Sequence, residues 1–240
     1  MAMIYNYGIA LSLLLVGAPP ATAQEREPDP RREELRMMVR DILLSDPQLL
    51  QDSLNNLATY QKKSEAAFAE KLKKYDSYLA DDGSAYLGSK SSRDVITVFS
   101  DFNCKFCAQT AQYLKDNLQD RYKIIVKDLP ILGENSLYVA KYAIVAAKMH
   151  AYQDFYFATF SMPHASKEDM RAICRHIGLD PDAVEKEAAQ PWVAATLEKN
   201  RAVASELGVN ATPTLIYEGK KLGGGFKDIS RMIPKAGAAR

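Results

Sequence analysis

A chain of 240 residues, 47% hydrophobic and 25% charged, is long enough to bury one sizeable core and to carry an appendage beside it. The formal net charge of +1, with no clustered run of Lys and Arg, provides no electrostatic footprint for nucleic acid and excludes that class of partner. Three cysteines are too few, and odd in number, for a disulfide-stapled scaffold.

In chain order, the first feature is the apolar run Ile9 to Val16, followed by GAPPATAQ, where Ala21 and Ala23 are placed for an A-x-A cleavage. Residues 1–23 thus read as a secretory signal peptide removed after Ala23. The run is well short of the roughly 20 apolar residues that span a bilayer. No Lys or Arg precedes it, so an uncleaved membrane anchor is the competing reading. Export would place the cysteines where disulfides form and persist.

Residues 24–81 read as a helical segment. Gln24 to Pro30 is polar and Pro-rich; from Arg31 onward, Leu35, Met38, Val39, Ile42 and Leu43 recur at helical spacing. SDPQLL predicts a restart, with Asp46 as N-cap and Pro47 in the first turn. Leu50, Leu54 and Leu57 continue one stripe, and Phe68, Leu72, Tyr75 and Leu79 form another. Gln61 and Ser64 interrupt the seam between them, where a stalk would be flexible or hinged near Lys62 to Glu65, and Gly83 supplies a stop. The stripes either pack on this chain's own domain or pair with copies of themselves. The second reading makes the segment an oligomerisation device, although the seam is short for a coiled coil.

An α/β part follows. Asp94 to Ser100 predicts a buried strand, Cys104 to Leu118 a helix, and Tyr122 to Val126 a second strand, with a turn at Pro130. From about residue 135 to 205 the chain reads as several helices punctuated by Pro, Gly and Asp. VNATPTLIYEGKKLGG predicts a hairpin about Glu218 and Gly219, and Phe226 to Ile233 a closing helix. The fold class is α/β, a small mixed sheet with an all-helical insertion.

Chemistry concentrates in VITVFSDFNCKFCAQT, where Cys104 and Cys107 are separated by Lys105 and Phe106 at a helix start. There the unpaired N–H groups and positive dipole end favour a thiolate at Cys104, and Lys105 should push the same way. Cys107, one turn later, would face inward as the resolving thiol. A structural zinc site needs about four ligands, and His150, His164 and His176 lack ligand spacing, so no metal site is assigned. A permanent disulfide closing so short a loop would contribute little stability. A redox dithiol is the better reading. Cys174 shares a helical stripe with Met170, Ile173 and Ile177 and reads as a buried core thiol, and Trp192 as packing.

VFSDFNCKFC, followed far downstream by ATPT, resembles the thioredoxin-fold disulfide oxidoreductases of the bacterial periplasm, and DLPILGENSLYVAKYAIVAA is similar to their DsbA-like branch. The resemblance covers residues 82–240 and implies a thioredoxin fold with a helical insertion. It further implies a cis Thr212–Pro213 peptide beside the dithiol, with Thr212 and Pro213, like Lys105 and Phe106, contacting substrate. Two departures narrow it: Val98 stands where the oxidases carry a buried acid, as in the DsbC isomerase, and Lys105–Phe106 replaces the Pro-His of the strong oxidant. With helices ahead of the domain, the architecture looks most like the ScsC group.

What this implies is a periplasmic thiol–disulfide oxidoreductase with isomerase or reductase activity, homo-oligomeric as a dimer or trimer, with no organic cofactor. Its partners would be unfolded or misoxidised exported proteins and a membrane protein that keeps the dithiol reduced. A DsbA-type oxidase and a copper-tolerance protein binding Cu(I) through the same thiols are the alternatives.

Overall fold

The structure is a computed structural model that describes residues 29–80, 83, 85–162, 165–223 and 226–235. The signal-peptide reading of residues 1–23 and His164 lie outside the described residues. The chain divides after Leu57 into two compact units.

In the first unit, α1 (Pro30–Ser45) begins at Asp29, whose side chain accepts from the Arg31 N–H. It ends at Asp46, whose φ of −125° and ψ of 79° leave the helical region. Pro47 explains the break, because its ring disfavours helical backbone in the residue before it. Asp46 Oδ1 then accepts from the Leu49 N–H at 3.3 Å, capping the start of α2 (Pro47–Ala80) as the sequence predicted. Leu35, Met38, Ile42, Leu50, Leu54 and Leu57 are all exposed.

No helix break marks the hinge expected near Lys62 to Glu65: α2 runs unbroken to Ala80. Gln61 and Ser64 interrupt the apolar seam but carry neither the ring nor the missing N–H that breaks a helix. Polar residues change which face is buried without ending the helix.

In the second unit, a five-stranded sheet has the order β1-β3-β2-β4-β5, built from β1 (Tyr86–Gly88), β2 (Val95–Ser100), β3 (Lys123–Asp128), β4 (Thr214–Tyr217) and β5 (Lys220–Gly223). Strands β2 and β3 are parallel, and the other pairs are antiparallel. Strand β1 is absent from the sequence reading, being three residues long and without a readable alternation. It ends at Gly88, with φ of 78°, where a Cβ would meet the Gln119 carbonyl oxygen at 2.5 Å. The β4–β5 hairpin turns at Glu218 and Gly219, both at positive φ, as a two-residue loop requires.

Alternation along β2 divides the core. Ile96 and Val98 join Ile124, Val126 and Leu215 on one face, under α3 (Lys105–Asn117), the insertion and α9 (Phe226–Met232). The insertion comprises α4 (Glu134–Lys148), α5 (Tyr152–Phe160), α6 (Lys167–His176) and α7 (Pro181–Ala188), followed by α8 (Pro191–Glu206). On the opposite face, Phe99 and Ile216 pack with Val203 of α8, with Leu207 at its C-cap, and with Tyr78 and Leu79 of α2, flanked by Phe68, Leu72 and Tyr75. The second helical stripe therefore belongs to this domain's own core. Thr97 Oγ1 donates to the Leu79 carbonyl at 2.8 Å, and Tyr78 bonds Asn200 while its ring lies beneath Lys127 and Lys199.

Candidate active site

Strand β2 ends at Ser100, and a four-residue turn carries the chain into α3, so the dithiol lies just beyond the sheet's central strand. Cys104 is the N-cap of α3: its sulfur accepts from the Cys107 N–H at 3.3 Å, and its own N–H donates to the Asp101 carbonyl at 3.1 Å. Cys107 is completely buried, Cys104 is 7% exposed, and both are free thiols. Lys105 and Phe106 are on the surface between them, Phe106 being 58% exposed.

The two sulfurs have opposite electrostatics. Hydrogen bonding from the Cys107 thiol, assisted by the backbone N–H groups of Cys107 and Phe106, lowers the Cys104 thiol to about 6 against the opposing effect of burial. Burial, and then the neighbouring Cys104 sulfur, push Cys107 far above the ordinary cysteine range. A thiolate at the helix N-terminus beside a protonated thiol suits one sulfur for attack and the other for resolution. The largest lowering effects on Cys104 come from Cys107 and the helix N-terminus.

The Thr212–Pro213 peptide is cis, in line with the sequence expectation. It brings the half-buried Thr212 against the dithiol: Cys104 Sγ donates to the Thr212 carbonyl at 3.2 Å. The structure thus gathers Cys104, Cys107, Thr212 and Pro213 at one place, with Lys105 and Phe106 at its rim.

Sequence reasoning missed the residue that holds this place together. Asp101, 1% exposed, accepts from the Asn103 N–H at 2.8 Å and the Ser136 hydroxyl at 2.7 Å on Oδ1. Its Oδ2 accepts from the N–H groups of Ile131 at 2.7 Å and Leu132 at 3.0 Å. One carboxylate therefore ties the dithiol turn to the loop after β3 and to the start of α4. That loop presents exposed apolar side chains, Ile131 at 43% and Leu132 at 52%. The Phe102 ring stacks on Phe160 at 5.1 Å, joining the same turn to α5. An acid directly after a buried strand and three residues before a cysteine was the available signal.

Burial raises the Cys174 thiol to about 11, leaving it inert beside Met170 and Ile173 in the core. Among the described residues, no group of three or more His, Cys, Asp or Glu side chains is placed to hold a metal ion. Cu(I) at the dithiol would have the two sulfurs as its ligands.

A family model described as Thioredoxin matches residues 80–235. The chain belongs to the thioredoxin family. Within it, the chain is similar to the thiol–disulfide exchange protein α-DsbA2 of Wolbachia pipientis, 27% identical with a TM-score of 0.60 over 65% of this chain and 88% of that one. A thioredoxin-like oxidoreductase of Silicibacter pomeroyi is also 27% identical, with a TM-score of 0.54 over 60% of this chain and 86% of that one. A linker-deletion mutant of Proteus mirabilis ScsC shares the fold at 20% identity, with a TM-score of 0.58 over 84% of this chain and 92% of that one. Among curated proteins, 143 residues are 24% identical to a Na(+)/H(+) antiporter NhaA of Herminiimonas arsenicoxydans, and the match spans only 23% of the antiporter. No helix of the described residues is long and apolar enough to cross a membrane. This thioredoxin-family protein is a DsbA-like thiol–disulfide oxidoreductase.

Proposed function

We propose that the protein is an exported, oligomeric disulfide isomerase acting on misoxidised periplasmic proteins. The Cys104 thiolate attacks a client disulfide and forms a mixed disulfide; Cys107 or a client thiol then resolves it. Thr212 offers its backbone to an extended client segment, and Phe106, with Ile131 and Leu132, gives apolar contact to unfolded chain.

The single observation that carries isomerisation, as distinct from simple exchange, is the exposed apolar stripe of α1 and early α2, from Leu35 through Leu57. A stripe of that length suits pairing with the same stripe in a second or third copy. Several dithiols around one client raise their effective concentration, which favours repeated exchange. That the match to Proteus mirabilis ScsC extends beyond the thioredoxin domain supports treating these helices as part of a shared architecture. A membrane protein that keeps the dithiol reduced is the expected electron partner.

The test is reactivation of a scrambled-disulfide client by residues 24–240 and by a chain starting at Ala58. The cut is placed there because Phe68 to Leu79 belong to the domain core. Repair by the long chain alone, together with loss of oligomer in the short one, is the expected result. If neither chain repairs the client and both rapidly oxidise a reduced one, the protein is a dithiol oxidase.

A further inference from the structure

Resolution of a mixed disulfide at Cys104 has a proton to place. Cys107 must lose its thiol proton as its sulfur attacks, and burial holds that thiol strongly protonated. On the face of β2 covered by α3, the side chains before Ser100 are Ile96 and Val98, and neither can accept a proton.

The register supplies a carboxyl from the next strand. Ser100 and Asp128 are Cα partners at the ends of parallel β2 and β3. Side chains two apart share a sheet face, so both point the same way as Val98 and Val126, toward α5. Asp128 is 1% exposed. Its Oδ1 accepts from the Tyr152 hydroxyl at 2.8 Å, while its buried Oδ2 has no hydrogen-bond partner among the described residues. An unpaired buried carboxyl oxygen is rare and calls for a reason.

Tyr156 stands beside Tyr152 and the end of β2. It follows Tyr152 by one turn of α5, its ring centroid is 5.7 Å from that of Tyr152, and its hydroxyl is 3.4 Å from Ser100 Oγ. Burial keeps this hydroxyl protonated far above the ordinary tyrosine range, with smaller effects in the same direction from Cys107, Asp128 and Cys104. The ionisable groups facing Asp128 are Tyr152 and Tyr156 from α5, Asp101 beyond β2 and Lys127 on its own strand. Burial, with the Asp101 charge adding to it, raises the Asp128 carboxyl to about 7, against the lowering effects of the Tyr152 hydrogen bond and Lys127. The two carboxyls thus divide by environment: Asp101 is occupied by four donors, and Asp128 keeps an oxygen unused.

We propose that Asp128 takes up the Cys107 proton during resolution, with the Tyr156 and Ser100 hydroxyls as the polar groups between them. In that step a Cys107–Cys104 S–S bond forms and the Cys104–client S–S bond breaks. The client sulfur leaves as a thiolate with the bonding electron pair, and the proton moves from Cys107 to the Asp128 carboxylate. The enzyme dithiol is oxidised and the client disulfide reduced; in reverse, protonated Asp128 returns the proton to Cys107. The inference rests on exchange chemistry at the dithiol and is independent of whether the protein isomerises.

The full chain, reduced, is mixed with a model peptide disulfide and quenched, and the Cys104 mixed disulfide is followed by mass spectrometry as it forms and decays. In the unsubstituted protein, decay should accelerate through a bend near pH 7, where the Asp128 carboxyl titrates. Asp128→Asn should slow decay by at least about tenfold and abolish the bend, with formation unchanged. Tyr156→Phe, which keeps the ring packing, should slow decay in the same selective way. Decay of both variants at the unsubstituted rate, with the bend retained, overturns the role of Asp128. If Asp128→Asn does not fold, Tyr156→Phe decides by the same criterion. Failure of the unsubstituted protein to form any mixed disulfide would instead overturn the dithiol chemistry itself, and this inference with it.

Discussion

The Cys104 sulfur lies 3.2 Å from the carbonyl oxygen of Thr212, a residue 108 positions further along the chain. Two segments that share nothing in sequence meet because β2 and β4 are antiparallel neighbours, with Phe99 opposite Thr214. The dithiol turn leaves the end of one strand where the cis-proline turn enters the other. On the proposed function, a client segment reaching Cys104 would pass the Thr212 backbone.

The first consequence is a pH profile. Alkylation of Cys104 should rise through a midpoint near pH 6, while Cys107 stays unreactive across the same range. The folded thiol is lowered relative to the unfolded chain, so it stabilises the reduced fold above the unfolded cysteine range, and that stabilisation is lost as pH falls through about 6. Over this window the reduced protein should gain at most about 4 kcal/mol from Cys104 as pH rises. Denaturant unfolding of the reduced protein at several pH values measures it; Cys104→Ser should flatten the dependence.

Substitution of Phe106 tests the proposed client contact separately from the chemistry. At 58% exposure it contributes little to the core, so Phe106→Ser should leave unfolding stability within about 0.5 kcal/mol. Exchange with a small disulfide should be unaffected, whereas KM for an unfolded protein client should rise several-fold. Equal loss with both substrates would place Phe106 in the chemistry instead.

Asp101→Ala removes four hydrogen bonds and leaves the N–H groups of Ile131, Leu132 and Asn103 without their acceptor. The expected loss is about 3 kcal/mol in urea unfolding, with Asp101→Asn less severe. Faster amide exchange at Ile131 and Leu132 than in the rest of the domain would locate the effect in the clamp.

Tyr78 tests how α2 is joined to the domain. Its hydroxyl bonds Asn200, whose amide in turn donates to the Asp128 carbonyl at 2.9 Å, and its ring is beneath Lys127. Tyr78→Ala should destabilise the domain by about 3 kcal/mol, and Tyr78→Phe by about 1 kcal/mol. Truncation at residue 82 should resemble the first and exceed it.

The dithiol was legible because Cys104 and Cys107 are separated by only two residues at a helix start, and local spacing alone determines that geometry. The helical insertion and the β4–β5 hairpin were legible for the same reason: Pro, Gly and Asp mark local breaks. What was not legible depends on contacts distant in sequence. Nothing near Asp101 in the chain announces that Ile131 and Leu132 will donate to it. Asp128 reads as a polar strand end until the β2–β3 register places it beside Ser100. The two stripes of the N-terminal helices look alike in sequence, yet Phe68 to Leu79 meet the sheet, while Leu35 to Leu57 remain exposed.

The most direct measurement is trapping of the exchange intermediate. Cys107→Ser, incubated with a scrambled-disulfide client, should accumulate a mixed disulfide that maps to Cys104 and is released by dithiothreitol. Cys104→Ser should trap none. A mixed disulfide at Cys174, or equal trapping by both variants, would contradict Cys104 as the attacking sulfur.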